Sequence, residues 1–318
     1  MNLKDGNINV YNYKAYGLNI QSEIMLPELL LSDNNQYIDV NILYGVLPQE
    51  ISKEIDNGKH FEFGKEKMWF CINNIAKYYI SNGNTIIVEP FENANQHNVK
   101  AFLLGSAFGM LLIQRNTIAI HGGTIVIDGQ ALVITGNQGA GKSTLTSAFR
   151  DKGYSFMSDD VSVLGKRKDL THIIYPGYPQ QKLCRDAMEK MNYHLKDFKR
   201  IDEGRDKYAI PVHKNFIKHT VSLGAICEIT IGEKEYVEIE EITGTEKLKL
   251  LLKNIYRVEV TQYTGINIDY MKNCIYIAKE IPFFKIKRPK DKFSVEDQIT
   301  VIEKALIEKN NVIEMVQR

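Results

Sequence analysis

Residues 136–143 read Gly-Asn-Gln-Gly-Ala-Gly-Lys-Ser, which fits the phosphate-binding pattern G-x-x-x-x-G-K-[ST] at every constrained position. Four fixed positions recur by chance, so the flanks decide. Ahead of the pattern, residues 131–135 form a short apolar run rich in β-branched side chains, as a buried strand requires. Behind it, residues 143–150 contain neither Gly nor Pro, and Lys152-Gly153 supplies a C-cap, which predicts a short helix. Strand, glycine loop and helix follow in the order the pattern needs.

The residue types match the chemistry. Loop amides must point at phosphate oxygens, and side chains would block that approach. The new helix aims its positive dipole end at the same anion. The predicted nucleotide contacts are therefore Gly136, Asn137, Gln138, Gly139, Ala140, Gly141, Lys142, Ser143 and Thr144. Lys142 supplies a charge to the β/γ oxygens, and the Ser143 hydroxyl is a candidate Mg²⁺ ligand.

Asp159 and Asp160 follow at the end of a second predicted strand, residues 154–157, with Asp159 placed 17 residues after Lys142. That span holds one short helix, a turn and a strand, a minimal βαβ crossover with the carboxylates at the carboxyl edge of a neighbouring parallel strand. Adjacent side chains on an extended segment point opposite ways, so the pair is expected to divide its work. One carboxylate would serve Mg²⁺ and the other the attacking nucleophile. His121, 21 residues before Lys142 and followed by Gly122-Gly123, reads by spacing alone as a core histidine.

His-Gly, phosphate loop and Asp-Asp at these distances, all within residues 119–164, resemble the catalytic domain of HPr kinase/phosphorylase, a bacterial serine kinase related in fold to PEP carboxykinase. The resemblance implies an α/β P-loop catalytic domain that uses ATP and Mg²⁺. Position by position it makes Asp159 the base on a substrate hydroxyl, Asp160 and Ser143 the metal contacts, and Lys142 and His121 phosphate-side catalytic residues. The glycine-rich segment that accompanies phosphorylase activity in that family is missing, as is its usual N-terminal domain. Tyr175-Pro-Gly-Tyr-Pro179, Tyr13-Lys-Ala-Tyr-Gly17-Leu-Asn-Ile20 and Leu26-Pro-Glu-Leu29 instead resemble the HPr-kinase-like enzymes encoded beside ribosomally made peptides, among them lasso-peptide precursor kinases. That likeness implies a serine-bearing peptide or small protein as acceptor, and a homo-oligomer, as in related enzymes.

Composition removes other classes. The net charge of +1 in 318 residues gives no basic field, and no Arg/Lys stripe alternates with aromatics, so nucleic acid is not an expected partner. The longest apolar run, residues 101–113, is too short for a bilayer, and no export signal opens the chain. A cytoplasmic protein without a membrane partner is expected. Cys71, Cys184, Cys227 and Cys274 lie far apart with no C-x-x-C, which suggests neither a disulfide framework nor a zinc site.

The rest of the chain organises around this core. Residues 1–94 read as a smaller, mostly-β N-terminal domain with strands at 37–44, 61–63, 67–72, 76–81 and 85–89, and Trp69 in its core. Its edge strands suit peptide docking. The P-loop kinase domain spans residues 95–318 and opens with a buried helix at 96–114, whose Gly105 and Gly109 permit close packing. A helix is expected at 181–191. Lys182 and Arg185 near its start suggest either anion contact or solvated charge. Residues 193–208 read as a polar loop able to close over substrate, with Arg205 or Lys207 available to a transferring phosphoryl group. Thr243-Gly-Thr-Glu246 reads as a capping box, residues 274–278 as a strand, and Ser294 as the cap of a last helix.

A kinase acting on a serine hydroxyl accounts for most of these features. The alternatives are a kinase of a small-molecule hydroxyl, such as a free amino acid, and a nucleotide-responsive binding protein without turnover.

Overall fold

The computed structural model describes residues 9–33, 36–202 and 206–317. The chain divides into two compact units, Met1–Ala119 with Tyr256–Met271, and Ile120–Ile255 with Lys272–Arg318. The first therefore ends later than the expected boundary after residue 94. The apolar helix that follows is the reason. It packs on the first unit's own sheet, with the Tyr78 hydroxyl donating to Val99 O at 2.8 Å.

That sheet has eight strands: β1 (Tyr11–Ala15), β2 (Leu18–Ser22), β3 (Leu30–Leu31), β4 (Val40–Tyr44), β5 (Phe61–Phe63), β6 (Lys67–Ile72), β7 (Ala76–Ser81) and β8 (Thr85–Pro90). They lie in the order β3-β1-β2-β4-β8-β7-β6-β5. Strand β4 starts three residues later than its alternation suggested, with Val40 and Ile42 fully buried. Between β7 and β8, Asn82 and Gly83 both take positive φ, the turn handedness that suits a twisted hairpin. Trp69 is buried against Leu47, Ile51 and Tyr79, as expected of a core residue. The apolar helix is interrupted by a π-helical turn at Leu103–Ala107, and a Cβ on Gly109 would come within 2.6 Å of the Tyr256 ring.

The second unit contains β9 (Ala119–Ile127), which begins one residue before it, then β10 (Gln130–Gly136), β11 (Ser155–Ser158), β12 (Val161–Lys166), β13 (His172–Tyr175), β14 (Gln180–Cys184), β15 (Lys199–Asp202), β16 (Lys207–Pro211), β17 (Val221–Ile231), β18 (Glu238–Ile242) and β19 (Phe283–Arg288). The main sheet runs β10-β9-β12-β13-β17-β19-β18. Because β17 also pairs with β10, in parallel, the first five strands close on themselves. The helices Lys142–Asp151 and Val295–Gln317 cover one apolar layer, in which Leu145, Phe149, Ile134, Ile229 and Ile299 are fully buried. No helix among the described residues is long and apolar enough to cross a membrane.

Several expectations are corrected. Residues 274–278 belong to the helix Ile268–Glu280: Cys274, Ile277 and Ala278 are buried while Ile275 and Tyr276 are exposed, a period of 3.6 and not 2. The capping box does not form, since Gly244 caps the helix Thr245–Lys253 without any side-chain bond. Residues 181–184 extend as β14, and the expected helix starts only at Arg185. The stretch read as a closing loop builds instead the hairpin β15–β16, which joins β14 in a three-stranded sheet of order β14-β16-β15. Arg205 lies outside the described residues.

Candidate active site

The glycine loop leaves the carboxyl end of β10. Gly136 takes φ +140, and a Cβ there would sit 2.3 Å from the Ile229 carbonyl of the parallel neighbour β17, so only glycine fits. The loop ends at Gly141, and Lys142 opens the helix Lys142–Asp151. Lys142 Nζ curls back across the loop, donating to Gly136 O at 2.8 Å and Asn137 O at 3.1 Å. Burial pulls the Lys142 pKa down, as does Lys207, while Asp160 and Asp159 counteract it. Asn137, Gln138 and Gly139 are exposed, and Ser143 and Thr144 half-buried, so the mouth of the loop is open. From the end of β19, the Arg288 guanidinium donates to Ala140 O at 2.6 Å and Gly139 O at 3.2 Å. It thus fixes two loop carbonyls.

The carboxylates reach the same sheet edge by a route that differs from the minimal crossover. Strand β11 does pair in an antiparallel sense with β9, and β10 does the same on the other side. So β10 and β11 run in one direction with β9 between them, where adjacency was expected. The amino end of β9 carries His121-Gly122-Gly123, and these glycines let the three pieces meet. Gly122 N–H donates to Asp160 O at 3.1 Å, and a Cβ on Gly123 would come within 2.8 Å of Thr146 Oγ1 and 3.0 Å of Asp159 O. Behind the carboxylates, buried hydroxyls lock the strands. Ser162 Oγ lies 2.6 Å from Thr124 Oγ1 and donates to Gly122 O at 3.0 Å.

Asp159 is buried, with 9% exposure. Its Oδ2 accepts from the Lys182 backbone N–H at 2.9 Å, and its Oδ1 is a buried acceptor with no partner among the described residues. Burial, reinforced by the Asp160 charge, pushes its pKa up to about 7 against the pull of Lys182 and Lys207. Asp160 behaves oppositely, although it is only one residue away. Burial works against its ionisation too, but the charges of Lys182, Lys207 and His121, with a 2.8 Å hydrogen bond from Lys182 Nζ, hold its carboxyl well below the usual carboxylate range. Two adjacent carboxyls are thus pushed in opposite directions, Asp159 up by burial and Asp160 down by the cations beside it. Two titratable groups driven apart in this way are what acid–base chemistry at neutral pH requires.

His121 is exposed at the end of β9, which corrects its reading as a core residue. Its N–H donates to Asn254 O at 2.8 Å, and its charge is among those acting on Asp160. Lys207, the first residue of β16, acts on both aspartates and on Lys142. Of the two cations considered near residue 185, Lys182 joins the site. Arg185 is engaged with Asp206 and Tyr208.

Gln181, which the sequence did not single out, ties β14 to the loop helix. Its fully buried amide donates to Ser143 O at 2.9 Å and accepts from Ser147 Oγ at 3.0 Å. Gln181→Leu is expected to leave these groups short of partners and cost about 2 kcal/mol of stability, since a buried polar group left unsatisfied loses that order of free energy. Urea denaturation of the variant measures it.

Among the described residues, no three His, Cys, Asp or Glu side chains group as a metal cage. The donors present are the ionised Asp160, the Ser143 hydroxyl and the unpartnered Asp159 Oδ1. Mg²⁺ is typically held by one or two carboxylates plus substrate phosphates and water, so these residues fit a metal that arrives with a nucleotide.

No protein-family model matches the sequence, and no curated protein is similar to it. Among solved structures, the Hpr(Ser) kinase/phosphatase from Coxiella burnetii is similar at 16% sequence identity and a TM-score of 0.30, over 62% of this chain and 97% of that one. At that TM-score the likeness is distant, and functional meaning rests on this chain's own side chains.

Proposed function

We propose that this chain is an ATP- and Mg²⁺-dependent kinase, of the kind that HPr kinase exemplifies, which phosphorylates a serine hydroxyl in a peptide or small protein. The observation that carries this reading is the convergence, on one edge of one sheet, of a lysine-bearing glycine loop with a buried aspartate that presents an unpartnered oxygen among the described residues. An anion cradle alone suits any nucleotide binder. A buried carboxyl beside it, raised by burial and by Asp160, suits the removal of a proton from an acceptor.

In the proposed reaction the loop amides of residues 136–144 and Lys142 hold the triphosphate. Asp160 and Ser143 would hold Mg²⁺, which would supply charge neutralisation on the phosphates. The acceptor oxygen forms a bond to the γ-phosphorus as the bond from that phosphorus to the β,γ-bridging oxygen breaks. The electron pair leaves with ADP, and the hydroxyl proton passes to Asp159. Lys142 and Lys207 stabilise charge on the transferring group, a contribution that is largely electrostatic in phosphoryl transfer. His121 lies on the same edge and adjusts the Asp160 side of the site.

A peptide acceptor, and within that class a ribosomally made precursor, is supported by the resemblance of residues 13–20, 26–29 and 175–179 to the precursor kinases. Incubation with ATP and candidate serine peptides, followed by mass spectrometry, tests it. Phosphoserine in a peptide is the expected product. Labelling of free amino acids with none in any peptide would move the assignment to a small-molecule kinase, and tight ATP binding with no product from any acceptor would make the protein a nucleotide-responsive binder.

A further inference from the structure

One residue holds both carboxylates. The Lys182 backbone N–H sits on Asp159 Oδ2 at 2.9 Å, and its own ammonium sits on Asp160 Oδ2 at 2.8 Å. The backbone at this point is fixed: β14 pairs with β16 along its whole length, the Gln181 amide is bonded to the loop helix, and Leu183 is buried. The Lys182 side chain differs, since 21% of it is exposed, and its four-carbon stem can swing without disturbing the strand. The oxygen it occupies belongs to the carboxylate that the proposed function gives to Mg²⁺.

The Lys182 ammonium leaves Asp160 with further lone pairs, but its charge, 2.8 Å from Oδ2, offsets that of the carboxylate and repels a divalent ion approaching it. The metal and the ammonium therefore compete for Asp160. An ammonium displaced from Asp160 on its flexible stem stays within reach of this site, where the negative charge of a nucleotide would attract it. We propose that Lys182 is a place-holding cation: it neutralises Asp160 in the nucleotide-free protein, yields that carboxylate to the metal when the metal–nucleotide complex binds, and then contacts the phosphoryl oxygens. This assignment rests on the kinase reading and makes Lys182 a catalytic residue in addition to Asp159 and Lys142. It also gives the empty site a low affinity for free metal, which ties metal loading to nucleotide loading.

The test uses Mn²⁺ as probe, with binding followed by electron paramagnetic resonance on the full chain, with and without ATP. Wild type is expected to bind Mn²⁺ weakly alone and tightly with ATP. Lys182→Met, which keeps the stem and removes the charge, is expected to bind Mn²⁺ without nucleotide at least tenfold more tightly than wild type, while its turnover falls about a hundredfold, the scale of losing one transition-state contact. Lys182→Arg keeps a cation on Asp160 and should leave metal affinity as weak as in wild type. Unchanged Mn²⁺ affinity in Lys182→Met, or equal tightening in Lys182→Arg, overturns the place-holding role even if ATP-dependent binding by wild type is intact. Failure of wild type to bind Mn²⁺ with ATP overturns the kinase reading, and this assignment with it.

Discussion

Asp159→Asn is expected to lower phosphoryl transfer by about a thousandfold while ATP affinity stays within about threefold of wild type, in line with the range for removal of a positioned general base. The split follows from where the side chain sits. Asp159 lies across β9 from the glycine loop, and the hydrogen bond it accepts comes from the Lys182 backbone N–H, away from the loop. The amide is close in shape and can still accept that N–H. What it cannot do is take a proton, a task suited to a carboxyl that burial and Asp160 have raised to about 7. Single-turnover transfer measured beside calorimetric ATP binding separates the two effects. Transfer within tenfold of wild type would remove Asp159 from the base role.

Lys142→Met should damage both steps. The ammonium bridges Gly136 O and Asn137 O across the loop, so its loss removes the loop's internal tie as well as the charge that meets the phosphates. Hydrogen bonds to a charged group contribute roughly 1.5–3 kcal/mol, which corresponds to ATP binding weaker by one to two powers of ten. Turnover should fall further, by about a thousandfold, because charge on the transferring group grows toward the transition state. Calorimetry and steady-state kinetics on the same preparation measure the pair. Weakened binding with unchanged turnover at saturation would confine Lys142 to ground-state binding.

The legible part of this site is the part encoded locally. A strand, three glycines, a lysine and a helix occupy one continuous segment, and β10 and the helix Lys142–Asp151 lie within a residue or two of the positions the pattern implies. The Asp-Asp pair reached the expected edge because 17 residues constrain how far a short helix and strand can travel. Its neighbour was misread because strand order is non-local: nothing within residues 142–160 shows that β9, earlier in the chain, lies between β10 and β11. Residues 181–191 misled for another reason. Leu183, Ala187, Met188 and Met191 have helical spacing, yet Gln181 and Leu183 are buried in alternation on β14, and the helix uses only the later positions. The same ambiguity of short apolar runs turned residues 274–278 from a helix into an expected strand. Lys182 stood out in the sequence only as a charge that could meet either an anion or solvent, at the start of a helix that does not begin there. That it grips both aspartates depends on β14 crossing the sheet edge, which no pattern in the sequence records. Arg288, 147 residues from Gly141, carries no sequence signal at all, and only the pairing of β19 with β17 brings it to the loop.

The most direct test of the account is a crystal structure of the protein with Mg²⁺ and a non-hydrolysable ATP analogue. The expected result is a triphosphate lying along residues 136–144, its γ-phosphorus between Lys142 Nζ and the Asp159 carboxyl, with the metal on Asp160. An analogue bound away from the glycine loop, or a γ-phosphate turned from Asp159 toward bulk solvent, would contradict it.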